Sequence, residues 1–144
     1  VCPMLVDNTH PLSVVRDVFN AIFVRGNMID ETMFYGKGAG KLPTASAVAA
    51  DVVDCVKHTG KNIKILWNPE KLELSNIGDF ERRYFVRMPA DTTQEVIQDV
   101  FGTVEMVTVD GLDEKAFVTG LIKESAFNEA AEKAGNIINR IRLD

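Results

Sequence analysis

An α+β fold in two parts is predicted: strands plus a helix, followed by a βαββαβ unit. Three observations carry this. A triple-glycine loop runs into a helix of very small residues at Tyr35 to Asp51, YGKGAGKLPTASAVAAD. Periodicity fades between Thr59 and Asp79, a stretch with Pro69, two glycines and three asparagines that reads as a connector. From Phe80 onward, alternating and helical hydrophobic spacings succeed one another in regular order. The expected parts are therefore 1–58, a connector at 59–79, and 80–144.

Taken in order, VCPMLV at the start is strand-like, and nothing nearby in sequence offers it a sheet partner. Thr9-His10-Pro11 reads as a turn into a short helical segment around Leu12 to Val18. His10 has two readings, a loop anchor through a backbone hydrogen bond or a residue at the mouth of a site, and the anchor is the commoner use. Asn20 to Val24 and Thr32 to Tyr35 are rich in β-formers, and Gly26-Asn27 supplies turn chemistry between them.

Gly36, Gly38 and Gly40 remove Cβ at alternate positions, which lets backbone approach a ligand closely. Pro43 suits a first helical turn, where the missing N–H is no loss. Thr44 to Lys57 then shows an alanine and valine face, with Asp51, Asp54 and Lys57 opposite. The first amides of such a helix favour an anion. Two nucleotide motifs nevertheless fail by spacing. A Walker loop needs glycine at Tyr35 and a hydroxyl at Leu42, and the glycines here are GxGxG where a dinucleotide loop is GxGxxG. A structural strand-to-helix turn and a ligand loop both remain open on pattern alone.

In the connector, Ile63, Ile65, Leu66, Trp67, Leu72 and Leu74 are too apolar for a free linker, so it is expected to lie against a neighbour, with Trp67 packing. Arg82 to Met88 alternates as a strand, and Thr92 to Phe101 has helical spacing at Val96, Ile97, Val100 and Phe101. Val104 to Val109 and Lys115 to Ile122 are strand candidates around the turn-like Asp110-Gly111-Leu112-Asp113. Ser125 is the expected cap of a second helix ending at Gly135, and Ile137 to Leu143 closes the set as a strand. The order βαββαβ is a ferredoxin-like plan.

The chain has 144 residues, 46% hydrophobic, enough for one domain or two small ones. No apolar run approaches a membrane span, and no secretory leader is recognisable, so a membrane is not an expected partner and a cytoplasmic location is expected. The net charge of −5, with the acidity mostly in the second half, argues against nucleic acid. Cys2 and Cys55 form no CxxC pair and are expected to be reduced, packed thiols, with no disulfide and no metal.

The run from His10 to Asp54, and above all GAGKLPTASAVAAD, closely resembles the closing segment of bacterial homoserine dehydrogenases, over Val1 to about Lys57. The resemblance implies a remnant of that enzyme's catalytic and dimerisation domain in 1–58. It implies a C-terminal fragment of an NAD- or NADP-dependent enzyme that interconverts aspartate semialdehyde and homoserine. Gly40 is then the best cofactor residue, with Gly38 and Ala39 beside it. The family's dinucleotide loop, catalytic lysines and acidic substrate residues precede this segment, so no catalytic residue is expected here. The isolated chain is expected to be inactive and to bind no cofactor tightly.

The βαββαβ plan after such a segment resembles an ACT domain, a regulatory module that binds a small amino acid, threonine for instance, at a dimer interface. Its Asp-x-x-Gly signature would fall at Asp91 to Gln94. Asp91 is kept, but Gln94 stands at the glycine position, where a long side chain would cover amides that receive a carboxylate. Asp91 is read first as a helix N-cap, with the threonine hydroxyls as alternatives, and second, with Thr92, as an effector contact. Three readings stand: a portion of the enzyme, an amino-acid sensing module, or a structural dimerisation module.

Overall fold

The computed structural model describes residues 1–62 and 64–143 of a mixed α+β chain. Two compact units are present, Asn8–Lys71 on one hand and Val1–Asp7 with Leu72 onward on the other.

Asn8–Lys71 is built from a hairpin and a helix. A single 3-10 turn, Pro11–Val14, replaces the longer helical segment expected as far as Val18. The chain reverses through Asp17, whose φ of 56° belongs to the left-handed region that a short polar side chain tolerates. Strand β2 (Phe19–Gly26) pairs antiparallel with β3 (Asp30–Lys37) in full register from Phe19↔Lys37 to Gly26↔Asp30. The turn between them closes on Asp30, again at φ 56°. Phe19 and Tyr35 stack on the ladder with ring centres 4.8 Å apart. Helix α1 (Lys41–Lys57) follows the glycine loop, with Pro43 in its first turn as expected. None of the described residues of this unit is buried.

The second unit has a core. Strand β4 (Glu81–Pro89) runs centrally, α2 (Gln94–Phe101) follows, and β5 (Val104–Val107) and β6 (Glu114–Thr119) form an antiparallel pair. A two-residue β7 (Ile122–Lys123) leads directly into α3 (Glu124–Ala134), and β8 (Asn139–Leu143) closes the unit. The sheet order is β8-β4-β6-β5, with β4 antiparallel to both β6 and β8. Tyr84, Val86 and Met88 alternate onto one face of β4. There they meet Ile97 and Phe101 of α2, Phe117 of β6, and Phe127 and Ala130 of α3. Val96, expected on this face, lies at its edge, 46% exposed.

The strand expected over Lys115 to Ile122 is split in two. At the break, the Tyr84 N–H donates to Thr119 Oγ1 at 3.0 Å instead of to backbone, and that hydroxyl donates to the Gly120 carbonyl at 2.8 Å. A buried threonine thus stands in for one rung of the ladder, which satisfies an amide that would otherwise be costly to bury.

Two helix-end expectations change. Asp91 does not cap α2: Thr93 does, its hydroxyl accepting from the Val96 amide at 3.3 Å. The cause is a turn closed by Thr92 N–H to Pro89 O at 3.1 Å, which delays the helix by two residues. Ser125 does not cap α3 either. Its hydroxyl donates to Gly78 O, and the Glu124 amide is taken by Phe80 O because β7 feeds the helix without a loop. Gly135 does end α3, at φ 79°.

The opening strand has a partner after all: β1 (Met4–Leu5) lies parallel to β8, Met4 opposite Arg142 and Leu5 opposite Leu143. The connector does not pack as expected. Trp67 is 83% and Leu74 95% exposed, and Ile65, Leu66 and Leu72 are exposed as well; Ile63 lies outside the described residues. Cys2 and Cys55 are free, but exposed rather than packed.

Candidate functional site

The glycine loop joins β3 to α1, and its three glycines differ in what surrounds them. A Cβ on Gly36 would meet nothing within 4 Å. At Gly38 it would fall 1.7 Å from Asn20 Nδ2 and 2.9 Å from Asn20 Cγ, so the space is already filled. Gly40 has φ 120° and ψ 156°, a conformation open in practice to glycine alone, and it is the N-cap residue of α1. No side chain caps this helix start. The Lys41 and Leu42 amides, followed by a proline, are thus presented beside bare backbone. Thr44 spends its hydroxyl on the Gly40 carbonyl at 2.9 Å.

Gly38, Ala39 and Gly40 are contiguous and exposed. Behind them, Asn20, Ala21, Ile22, Phe34, Tyr35, Gly36, Lys37 and Gly38 line a shallow cleft of about 250 Å³. Lys37 Nζ lies 5.5 Å above the Phe19 ring. His10 takes the anchoring role: its Nδ1 accepts from the Leu12 amide at 3.1 Å, and its ring leans on Phe23 at 4.8 Å.

In the second unit, Asp91 is exposed and Thr92 half-buried in the turn before α2, and Gln94 is the first residue of the helix. The polar cluster of this unit lies elsewhere, and sequence reading missed it. Glu124, 5% exposed, accepts from the Tyr84 hydroxyl at 2.7 Å and from Arg142 Nε at 2.9 Å, with a second bond from Arg142 Nη2. Arg142 holds the Glu124 carboxyl below the usual carboxylate range, aided by Tyr84. Burial, then the Glu124 hydrogen bond, pushes the Tyr84 phenol up to about 12. Tyr84 also stacks on Phe127 at 3.8 Å, while Arg140 covers that ring at 5.1 Å. Every buried side-chain polar atom among the described residues has a partner, so the cluster is a closed staple of α3 to β4 and β8. Its signal in the sequence was faint: alternating Arg140 and Arg142 facing a helix whose first residue is acidic.

Among the described residues no group of three or more His, Cys, Asp or Glu could hold a metal ion, and no helix is long and apolar enough to cross a membrane. A loop of bare glycine backbone beside an uncapped helix start is the kind of surface on which a polar ligand can rest, and among the described residues no acid–base pair adjoins it.

Comparison with known proteins gives the segment that carries this loop a family. The homoserine dehydrogenase family model matches residues 1–53, which include the whole loop. Homoserine dehydrogenase of Bacillus subtilis is 50% identical over 58 residues, 40% of this chain and 13% of that protein. The Mycobacterium tuberculosis H37Rv enzyme is 30% identical over 137 residues, 94% of this chain and 30% of its own length. Among solved structures, a homoserine dehydrogenase from Thiobacillus denitrificans covers 99% of this chain with a TM-score of 0.75 at 24% identity, a likeness of fold, and this chain covers 38% of it. The chain belongs to the homoserine dehydrogenase family. It spans about a third of the length of the long-aligned relatives.

Proposed function

We propose that this chain is a portion of an enzyme that interconverts L-aspartate 4-semialdehyde and L-homoserine with NADPH or NADH, in the cytoplasm, within threonine, methionine and isoleucine biosynthesis. The observation that carries the reading is Gly40 at φ 120°, the uncapped start of α1, inside the segment matched by the family model. In this reading Gly38, Ala39 and Gly40 form the cofactor side of a cleft, and hydride moves between nicotinamide and aldehyde carbon outside these residues. The chain alone is inactive and holds no cofactor tightly; the working form is a homodimer. In the full-length enzyme, Gly40→Val raises the cofactor KM by about tenfold or more by blocking approach and straining φ. An unchanged cofactor KM sinks the assignment.

For the second unit we propose a ferredoxin-like, ACT-type regulatory module, of which the β8-β4-β6-β5 order with its two helices is the support. Its effector would meet Asp91 and Thr92. Saturable heat on titration with threonine is the expected result. A flat trace at millimolar threonine leaves the module a structural, dimerising part.

A further inference from the structure

We propose that Asn20 is the positioning residue of the glycine loop, fixing Gly38 and through it the Ala39-Gly40 backbone. The proposal rests on the cofactor reading for its consequence but not for its geometry.

Four observations carry it. Gly38 has no positive φ, so its backbone would accept any residue; what forbids a side chain is the Asn20 carboxamide lying in that volume. Asn20 stands opposite Gly36 in the β2–β3 ladder, and Gly36 has open space where its Cβ would be. With no side chain at 38, Asn20 leans along the strand onto Gly38, into the space a Cβ there would take. The Gly38 amide is also held from the same strand end, donating to Val18 O at 3.3 Å. Among the described residues, no protein group is hydrogen-bonded to the Asn20 carboxamide, so packing on Gly38 is the contact that places it. A branched side chain over bare Cα fixes the end of β3 by shape, at the point where regular pairing stops.

The test is a double-mutant cycle read in two ways. In the full-length enzyme Asn20→Ala should raise the cofactor KM about tenfold with kcat within about twofold, since a displaced loop weakens binding rather than chemistry. Asn20→Leu keeps the shape without hydrogen bonds and should stay near the wild-type KM. Gly38→Ala should be impaired, and Asn20→Ala/Gly38→Ala less impaired than Gly38→Ala alone, because the new methyl enters the vacated space. On the 144-residue chain, the amide resonances of Gly38 to Gly40 should shift in Gly38→Ala and move back in the double variant. Additive effects in both readouts, or Asn20→Leu behaving like Asn20→Ala, overturn the proposal. Coupled amide shifts with no KM change in any variant leave the positioning role standing and remove the cofactor reading.

Discussion

The unit from Leu72 onward buries eight hydrophobic side chains around Tyr84, Phe117 and Phe127, whereas no described residue of Asn8–Lys71 is buried. Both contain an amphipathic helix and paired strands. The difference is that α2 and α3 close over a sheet face, while the valine ridge of α1 stays exposed, with Val48, Val52 and Val56 each more than half exposed. A hairpin and a single helix gain little alone, since most helical stability comes from a covered face. Apolar patterning therefore reports that a face wants covering, not that this chain covers it.

Phe117→Ala should have the largest effect, lowering the stability of the core unit by about 3–5 kcal/mol, measured by denaturant unfolding with Trp-independent probes such as far-UV dichroism. A loss below about 1 kcal/mol would erase the contrast between the units. Glu124→Gln should cost about 2–3 kcal/mol, because it leaves Arg142 half-buried without its counter-charge. It also has a pH signature. The Glu124 carboxyl is held below the usual carboxylate range in the folded state by Arg142, so its stabilisation is present above the ordinary carboxylate pKa and is lost as pH falls through the lowered, folded one. Tyr84 is shifted from 10.0 to about 12, so its share is present below pH 10 and is lost as pH rises toward 12. Glu124→Gln should flatten the acid limb of the stability profile; an unchanged limb would show that the staple does not titrate as described. Val52→Ala in α1 should do least, within about 0.5 kcal/mol in this chain. A larger loss would mean that the ridge is covered in solution.

What the sequence disclosed follows the range of the forces involved. The alternation of Arg82 to Met88 and the Gly135 stop were readable because they depend on neighbours a few residues away. Asp91 and Ser125 looked like caps because any short oxygen side chain before a helix does. The choice went to Thr93 and to no side chain at all, decided by a turn at Pro89 and by Phe80 reaching the Glu124 amide. Pairing of Met4–Leu5 with β8 joins residues from opposite ends of the chain, and no local pattern could show it. In the loop, all three glycines were legible alike as bare backbone, and only the φ of 120° sets Gly40 apart as a position that requires glycine. The reason for Gly38 lay in Asn20, eighteen positions earlier, and became visible only once the hairpin set both on the same face.

The pairing of β1 with β8 gives the chain an unusual order of travel. It enters one sheet, leaves to make Asn8–Lys71, and returns to complete the sheet it started from. The coreless unit is thus an excursion between two segments of the same core unit, the first of them held by its pairing with β8. Loss of the excursion can proceed without touching Tyr84 or Phe127. Melting of the core frees β8 and with it the pairing that closes the loop between Leu5 and Leu72, which widens the range of conformations open to the segment between them. Order in the well-packed part is in this sense a boundary condition on the part that carries the glycine loop.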